Sequence, residues 1–234
     1  RLKKRLPAFN TQAFRDGLYE MQDEGSQIVS LLVDAKPGQK VIDFCAGAGG
    51  KTLAIAATMQ NKGRLLAWDT AAHRLEQIHK RIARAGVSNT QTHALTSETD
   101  PFLKRHVKTA DWVLVDAPCS GSGTWRRNPD LKWRFSLDDL AEVKDIQLRI
   151  LNSAARLLKP GGKLVYVTCS VFLDENSWQI KQFLGHNPTF RVATPDRMWN
   201  KHSHTVDGLG TFIALSPHKD GTDGFFGAVL VNDA

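Results

Sequence analysis

Val41-Ile42-Asp43-Phe44-Cys45-Ala46-Gly47-Ala48-Gly49-Gly50-Lys51-Thr52 decides how this chain folds. A short apolar run, a turn of small residues and a helical stretch from Leu53 to Met59 describe a strand, a tight loop and a helix. Small residues at such a junction let backbone N–H groups approach a ligand at the helix N-terminus. Two nucleotide motifs fail on this loop. A phosphate-binding Gly-x4-Gly-Lys-Ser/Thr closing on Gly50-Lys51-Thr52 needs glycine where Cys45 stands. The Gly-x-Gly-x-x-Gly pattern fits Gly47 and Gly49 but ends on Thr52.

The same grammar repeats on either side. Upstream, Ile28, Val29, Leu31, Leu32 and Ala35 fit one helical face that Pro37-Gly38 closes. Downstream, Arg64 to Trp68 is a strand closed by Asp69, and Leu75, Ile78, Ile82 and Ala85 mark a helix that stops at Gly86. A weak strand near Gln91 to Leu95, a buried strand from Trp112 to Val115 and a long helix from Leu137 to Leu158 follow. Pro160-Gly161-Gly162 ends that helix, Lys163 to Val167 is a strand, and a helix runs around Glu175 to Leu184. The C-terminal part is less regular, with Phe225 to Val231 its best strand. Strands alternating with helices predict an α/β fold with a mostly parallel, doubly wound sheet. No repeat or linker divides it, so residues 1–234 are expected to form a single domain, with residues 1–20 a basic extension.

Bulk properties narrow the partners. The 234 residues carry a net charge of +7, which favours an anionic partner, nucleic acid first. No run approaches a membrane span. Cys45, Cys119 and Cys169 form an odd set without Cys-x-x-Cys spacing, against a disulfide framework or a zinc site and for a reducing compartment. The cytoplasm and a monomer without metal are expected. A start of Arg-Leu-Lys-Lys-Arg without methionine reads as a piece cut from a longer chain.

Asp69 lies 20 residues after Gly49, at the end of the next strand. A carboxylate there can accept the ribose hydroxyls of a nucleoside cofactor. S-adenosylmethionine has a ribose and no pyrophosphate, so it needs this acid without a full phosphate cradle. Asp69 as a plain cap for the 70–84 helix is the alternative. Cys119, in Val115-Asp-Ala-Pro-Cys-Ser-Gly121, and Cys169, in Val165-Tyr-Val-Thr-Cys-Ser170, each follow a strand's apolar stretch instead of lying within it. Their loops belong at the carboxyl edge of the sheet, where such folds bind ligands. Cys45 fits a quieter role as a small side chain in the loop.

Asp43-x-Cys-x-x-x-Gly-Gly-Lys-Thr52, Asp116-Ala-Pro-Cys-Ser-Gly-x-Gly and Thr168-Cys-Ser, in this order, resemble the RNA cytosine-5 methyltransferases of the Sun/Fmu and nucleolar-protein family. Gln22-Asp-Glu-Gly-Ser-Gln27 and Asp223-Gly-Phe-Phe226 extend the resemblance over about residues 20 to 230. It implies a Rossmann-like fold that binds S-adenosylmethionine through Cys45, Ala46, Gly47, Ala48, Gly49, Gly50, Lys51, Asp69 and Asp116. It implies Cys169 as the nucleophile that adds to carbon 6 of cytosine, Cys119 in product release and Asp116 on the cytosine edge. Cys119 as nucleophile is the alternative, as in DNA cytosine-5 enzymes. The resemblance also implies an RNA substrate, ribosomal RNA first. Transfer RNA, another acceptor, or RNA binding with catalysis lost are the alternatives. Members often carry an N-terminal RNA-binding region.

This chain departs from the family in two places. Gly47-Ala48-Gly49-Gly50 replaces Ala-Pro-Gly-Gly, and the family acid after the third strand, near the adenine, has no counterpart in His93-Ala-Leu-Thr-Ser-Glu98. Beside the Cys119 loop, Trp125-Arg-Arg-Asn-Pro-Asp-Leu-Lys-Trp-Arg134 interleaves cations with tryptophans, which suits phosphate contacts and base stacking. Arg126, Arg127, Lys132 and Arg134 are its candidate RNA contacts, to which Arg1–Arg5 could add. Lys51 could lower a nearby thiol's pKa or simply face solvent. His202 and His204 lack a third ligand and read as surface residues, and Phe225 and Phe226 read as core.

Overall fold

The computed structural model describes residues 6–193 and 202–234, so the Arg1–Arg5 segment lies outside the described residues. Five parallel strands place every candidate residue. β1 (Lys40–Asp43), β2 (Arg64–Asp69), β3 (Thr90–Ala94), β4 (Ala110–Asp116) and β5 (Leu158–Thr168) lie in the order β3-β2-β1-β4-β5. The chain steps outward from β1 to β3, then crosses back to place β4 on the other side of β1. That reversal opens a crevice at the carboxyl ends of β1 and β4, the place where open α/β sheets take their ligands.

Eight helices appear among the described residues: α1 (Gln12–Arg15), α2 (Glu24–Ser30), α3 (Gly50–Thr58), α4 (Ala72–Arg84), α5 (Pro129–Arg134), α6 (Leu137–Ala155), α7 (Ser177–His186) and α8 (Pro217–Asp220). Both faces of the sheet are covered, because alternate strand residues point to opposite sides. Ile42, Val113, Val115 and Tyr166 pack with Leu151 of α6 and Phe183 of α7. Val41, Leu114, Val165 and Val167 pack on the other side with Ile55 of α3 and Val29 of α2. Each such side chain removed from water contributes about 1.5–3 kcal/mol.

Element ends follow local chemistry. Asp23 caps α2, accepting from Gly25 N (2.8 Å) and Ser26 N (3.3 Å), so the helix starts and stops earlier than its apolar pattern suggests. Leu32, Val33 and Ala35 are buried after the helix has ended, which is why they mimic its continuation. A Ser136/Asp139 capping box starts α6, which ends at Ala155 instead of Leu158. β5 begins at Leu158 and carries Pro160-Gly161-Gly162 inside its span, where pairing with β4 shifts register between Ala110 and Trp112.

The C-terminal part is more regular than its sequence suggests. β6 (Phe190–Val192), β7 (Ser203–Val206), β8 (Gly210–Leu215) and β9 (Phe225–Asn232) add an antiparallel half. β9 pairs with β5, and Phe225 and Phe226 are buried, as core residues should be. His204 is exposed on β7, but His202 is not a free surface residue: its Nδ1 lies 3.1 Å from Asp220 Oδ1. Among the described residues no helix is long and apolar enough to cross a membrane, and no group of three or more His, Cys, Asp or Glu could hold a metal ion.

Candidate active site

The β1–α3 loop folds onto its own acid. Gly47 takes φ +55°, and its N–H donates to Asp69 Oδ2 at 2.7 Å. A Cβ on Gly47 would stand 2.6 Å from Arg74 Nη2, so the bare glycine lets loop and arginine meet. Asp69 Oδ1 accepts from Ala71 N at 2.8 Å, while Ala71 itself is the N-cap of α4. Asp69 is therefore more than a helix cap: each oxygen holds one loop amide and keeps a further lone pair. One expectation is corrected in part, since the Gly47 N–H serves Asp69 and is not left for a ligand. Gly49 is also corrected. It caps α3 at φ +84°, and a Cβ there would press on Ile78 Cγ1 at 2.8 Å, so it is a packing residue outside the cavity wall.

Lys51 does not face solvent. It lies in the first turn of α3, and its Nζ donates to Asp116 Oδ2 at 2.6 Å, with side chains only 10% and 31% exposed. Burial opposes its charge, but the Asp116 carboxylate outweighs burial and holds the ammonium above its ordinary pKa. Beneath the loop, burial pushes the Asp43 carboxyl up to about 7, against the Thr52 hydroxyl that donates to Oδ2 at 2.7 Å. Burial and neighbouring carboxylates likewise push the Cys45 thiol up, which leaves it unreactive.

Cys119 and Cys169 come from different loops, yet their Sγ atoms lie 3.4 Å apart. The hydrogen bond from Cys119 pulls the Cys169 thiol down, against burial and Asp116, and the Lys51 charge adds to that pull. The same hydrogen bond, with burial, pushes Cys119 up. Cys119 thus keeps the proton and Cys169 is the thiolate of the pair.

Glu175 was not anticipated as a functional residue. It is fully buried behind the two thiol loops. Its Oε1 accepts from Ser120 N (2.8 Å) and Gln147 Nε2 (3.0 Å), and its Oε2 from the Ser120 and Ser170 hydroxyls (both 2.5 Å). One carboxylate therefore ties the residue after Cys119 to the residue after Cys169. Ser122 adds to the tie, its Oγ 3.0 Å from Ser170 Oγ and accepting from Val171 N at 2.9 Å. A buried glutamate six residues after Cys169 has no periodic signature, and only its place in Thr-Cys-Ser-x-x-x-x-Glu hints at it.

The tryptophan–arginine segment lies beside this site. Trp125 is half-buried against Phe172, with ring centroids 5.6 Å apart. Trp133 is 82% exposed, so the picture of two buried tryptophans does not hold. Arg126, Lys132 and Arg134 are exposed, with Lys132 Nζ 5.4 Å above the Trp133 ring. Arg127 Nε is committed to Asp223 Oδ2 at 2.6 Å, which pins the segment to the loop before β9.

A cavity of about 780 Å³ joins these features. Cys45 to Ala48, Gly50, Lys51 and Asp69 line one end, and Asp116, Cys119 and Cys169 another. A nucleoside-sized ligand fits such a volume, and the acid at β2 meets the needs of a ribose. This sheet edge defines the chain as a Rossmann-like methyltransferase whose cofactor is S-adenosylmethionine. The family follows directly: the model described as 16S rRNA methyltransferase RsmB/F matches residues 30–231, and the chain belongs to that family of RNA cytosine-5 methyltransferases.

Among its relatives, a probable ribosomal RNA small subunit methyltransferase B of Bacillus subtilis is 38% identical over 223 residues, covering 92% of this chain and 48% of that protein. The structure of NSun6 from Pyrococcus horikoshii with SFG superposes with a TM-score of 0.85 at 28% identity, over 97% of this chain and 56% of that one. A methyltransferase homolog protein of Pyrococcus horikoshii superposes with a TM-score of 0.82 at 30% identity, over 98% of this chain and 73% of that one. The chain spans about half the length of the curated relatives it matches.

Proposed function

We propose that this chain, as a single methyltransferase domain, methylates carbon 5 of cytosine in RNA, with small-subunit ribosomal RNA as substrate. The observation that carries this reading is the thiol pair. Two Sγ atoms 3.4 Å apart, with the thiolate on Cys169, share one cavity with the Lys51–Asp116 pair and Asp69. RNA binding alone needs neither thiol.

Asp69 holds the ribose of S-adenosylmethionine, and the Cys45–Lys51 loop with Asp116 holds the rest. When bound there, the cofactor supplies an electrophilic methyl group. The protein supplies the nucleophilic chemistry. Carbon 5 of cytosine is a poor nucleophile until the Cys169 thiolate adds to carbon 6, which makes a new S–C bond and turns the ring enamine-like. Asp116, fixed by Lys51, accepts a hydrogen bond from the cytosine amino group and aims carbon 6 at Sγ. Once carbon 5 has reacted, its proton must leave before the S–C bond breaks and returns the thiolate. Cys119, touching Cys169, serves that release. Arg126, Arg127, Lys132 and Arg134 steer the RNA backbone, and exposed Trp133 stacks on a base. The protein acts in the cytoplasm as a monomer and uses no metal.

Incubation with unmodified ribosomal RNA and methyl-labelled S-adenosylmethionine, followed by nucleoside mass spectrometry, tests this. Labelled 5-methylcytidine is expected. Label on another nucleoside would overturn the thiol mechanism and leave the fold standing.

A further inference from the structure

The far end of the cavity is built for a base. Asp69 ends β2, and Leu95, which follows β3, donates its N–H to Asp69 O at 3.0 Å. Apolar walls stand there: Phe44, Leu95, Ala117 and Ile150 are buried and line the same cavity. One carboxylate closes this end. Glu98 lines the cavity with its side chain 22% exposed, and its Oε1 lies 3.0 Å from Arg149 Nε. The loop bearing it is tethered to α6 a second time, because Ser153 Oγ donates to the Glu98 carbonyl at 2.5 Å.

The sheet order orients the cofactor along this wall. Its reactive end must face the thiols at β4 and β5, and its ribose meets Asp69 at β2. The base then extends past β2 toward β3, into the apolar slot that Glu98 closes. We propose that Glu98 accepts a hydrogen bond from the exocyclic amine of the adenine and so selects an adenine nucleoside. Apolar walls bind the faces of any purine, but a carboxylate acceptor discriminates its edge. An amine donates to it, whereas a carbonyl in the same place repels it. Arg149 engages one oxygen and leaves the other for the base, while its charge offsets that of Glu98. Arg149 is held in turn by Asp145, 3.1 Å from its Nη1.

This inference rests on the cofactor placement proposed above, and the experiment separates the two. Calorimetric binding of S-adenosylhomocysteine is compared with that of S-inosylhomocysteine, in which a carbonyl replaces the amine. The unmodified protein is expected to prefer the adenosyl ligand by about 10-fold or more, the worth of one hydrogen bond to a charged group. Glu98→Ala should cut that preference to below about 3-fold. Glu98→Gln should bring the two affinities together, since its amide can donate to the carbonyl. Asp69→Ala should weaken both ligands alike and leave their ratio unchanged. An unchanged ratio in Glu98→Ala, with melting temperature preserved, overturns the role of Glu98 alone. Unchanged affinities in Asp69→Ala overturn the cofactor placement and the inference with it.

Discussion

Replacing Glu175 by alanine should cost the protein its thiol geometry as well as stability. The carboxylate receives four hydrogen bonds, and their fates on truncation differ. The Ser120 and Ser170 hydroxyls lie 3.2 Å apart and can pair with each other, and Gln147 Nε2 retains Pro118 O at 2.9 Å. Ser120 N has no such substitute. One orphaned buried N–H costs about 1–3 kcal/mol. The void left by the side chain adds to this, and relief of a buried charge subtracts from it, giving a net loss of about 2–4 kcal/mol. In a chain of this size that is roughly 4–16 °C in melting temperature. Glu175→Gln keeps the Oε1 acceptor and the shape, and the two serine hydroxyls can turn to accept, so about half that loss is expected. Thermal unfolding checks the first part, and single-turnover methylation at a temperature where both variants remain folded checks the second. The single-turnover rate should fall in Glu175→Ala, because nothing else joins the residues after Cys119 and Cys169 through one group. A melting temperature within about 1 °C of the unmodified protein would refute the reasoning.

Three further outcomes are expected. Cys169→Ala should abolish any covalent RNA complex on a denaturing gel, while Cys119→Ala should accumulate it; the reverse pattern would exchange their roles. Lys51→Met removes a charge that lowers the Cys169 thiol and unpairs the Asp116 carboxylate that raises it. The alkaline rise of the single-turnover rate should therefore move to higher pH, and a pH–rate profile reads the shift. Asp43 titrates near 7 when folded against an ordinary 3.8, so its stabilising contribution is complete below 3.8 and is lost as pH rises through 7. Urea unfolding should show the unmodified protein losing stability relative to Asp43→Asn between pH 4 and 7. His106 has the opposite sign: burial, with help from the Lys40 charge, lowers it from 6.5 to about 4, so its contribution is lost as pH falls through that range. Being present in both proteins, it drops out of their difference.

How much of the site was legible in sequence depends on the range of the contacts involved. The strand–loop–helix at Val41 to Met59, the acid at Asp69 and the two thiol loops were all readable, because each is set by neighbours a few residues away. Lys51 was ambiguous between solvent and site, since helix periodicity says which residues share a face and not what that face meets. The strands of the C-terminal half were missed except for β9. β6 has three residues, and β7 and β8 are held by pairing across the sheet more than by their own patterns.

By itself, then, the sequence determined the alternation of strands and helices, the family, and which residues end at the carboxyl edge of the sheet. Apolar periodicity, turn chemistry and motif spacing are local and survive without a structure. Tertiary structure alone decided that β4 lies beside β1, which carries Asp116 to within 2.6 Å of Lys51. It alone brought two thiols, 50 residues apart in the chain, to 3.4 Å and buried Glu175 behind both loops. It also set which thiol holds the proton. Those properties depend on distance and burial among groups far apart in sequence, and both are fixed only when the sheet closes its order around β1.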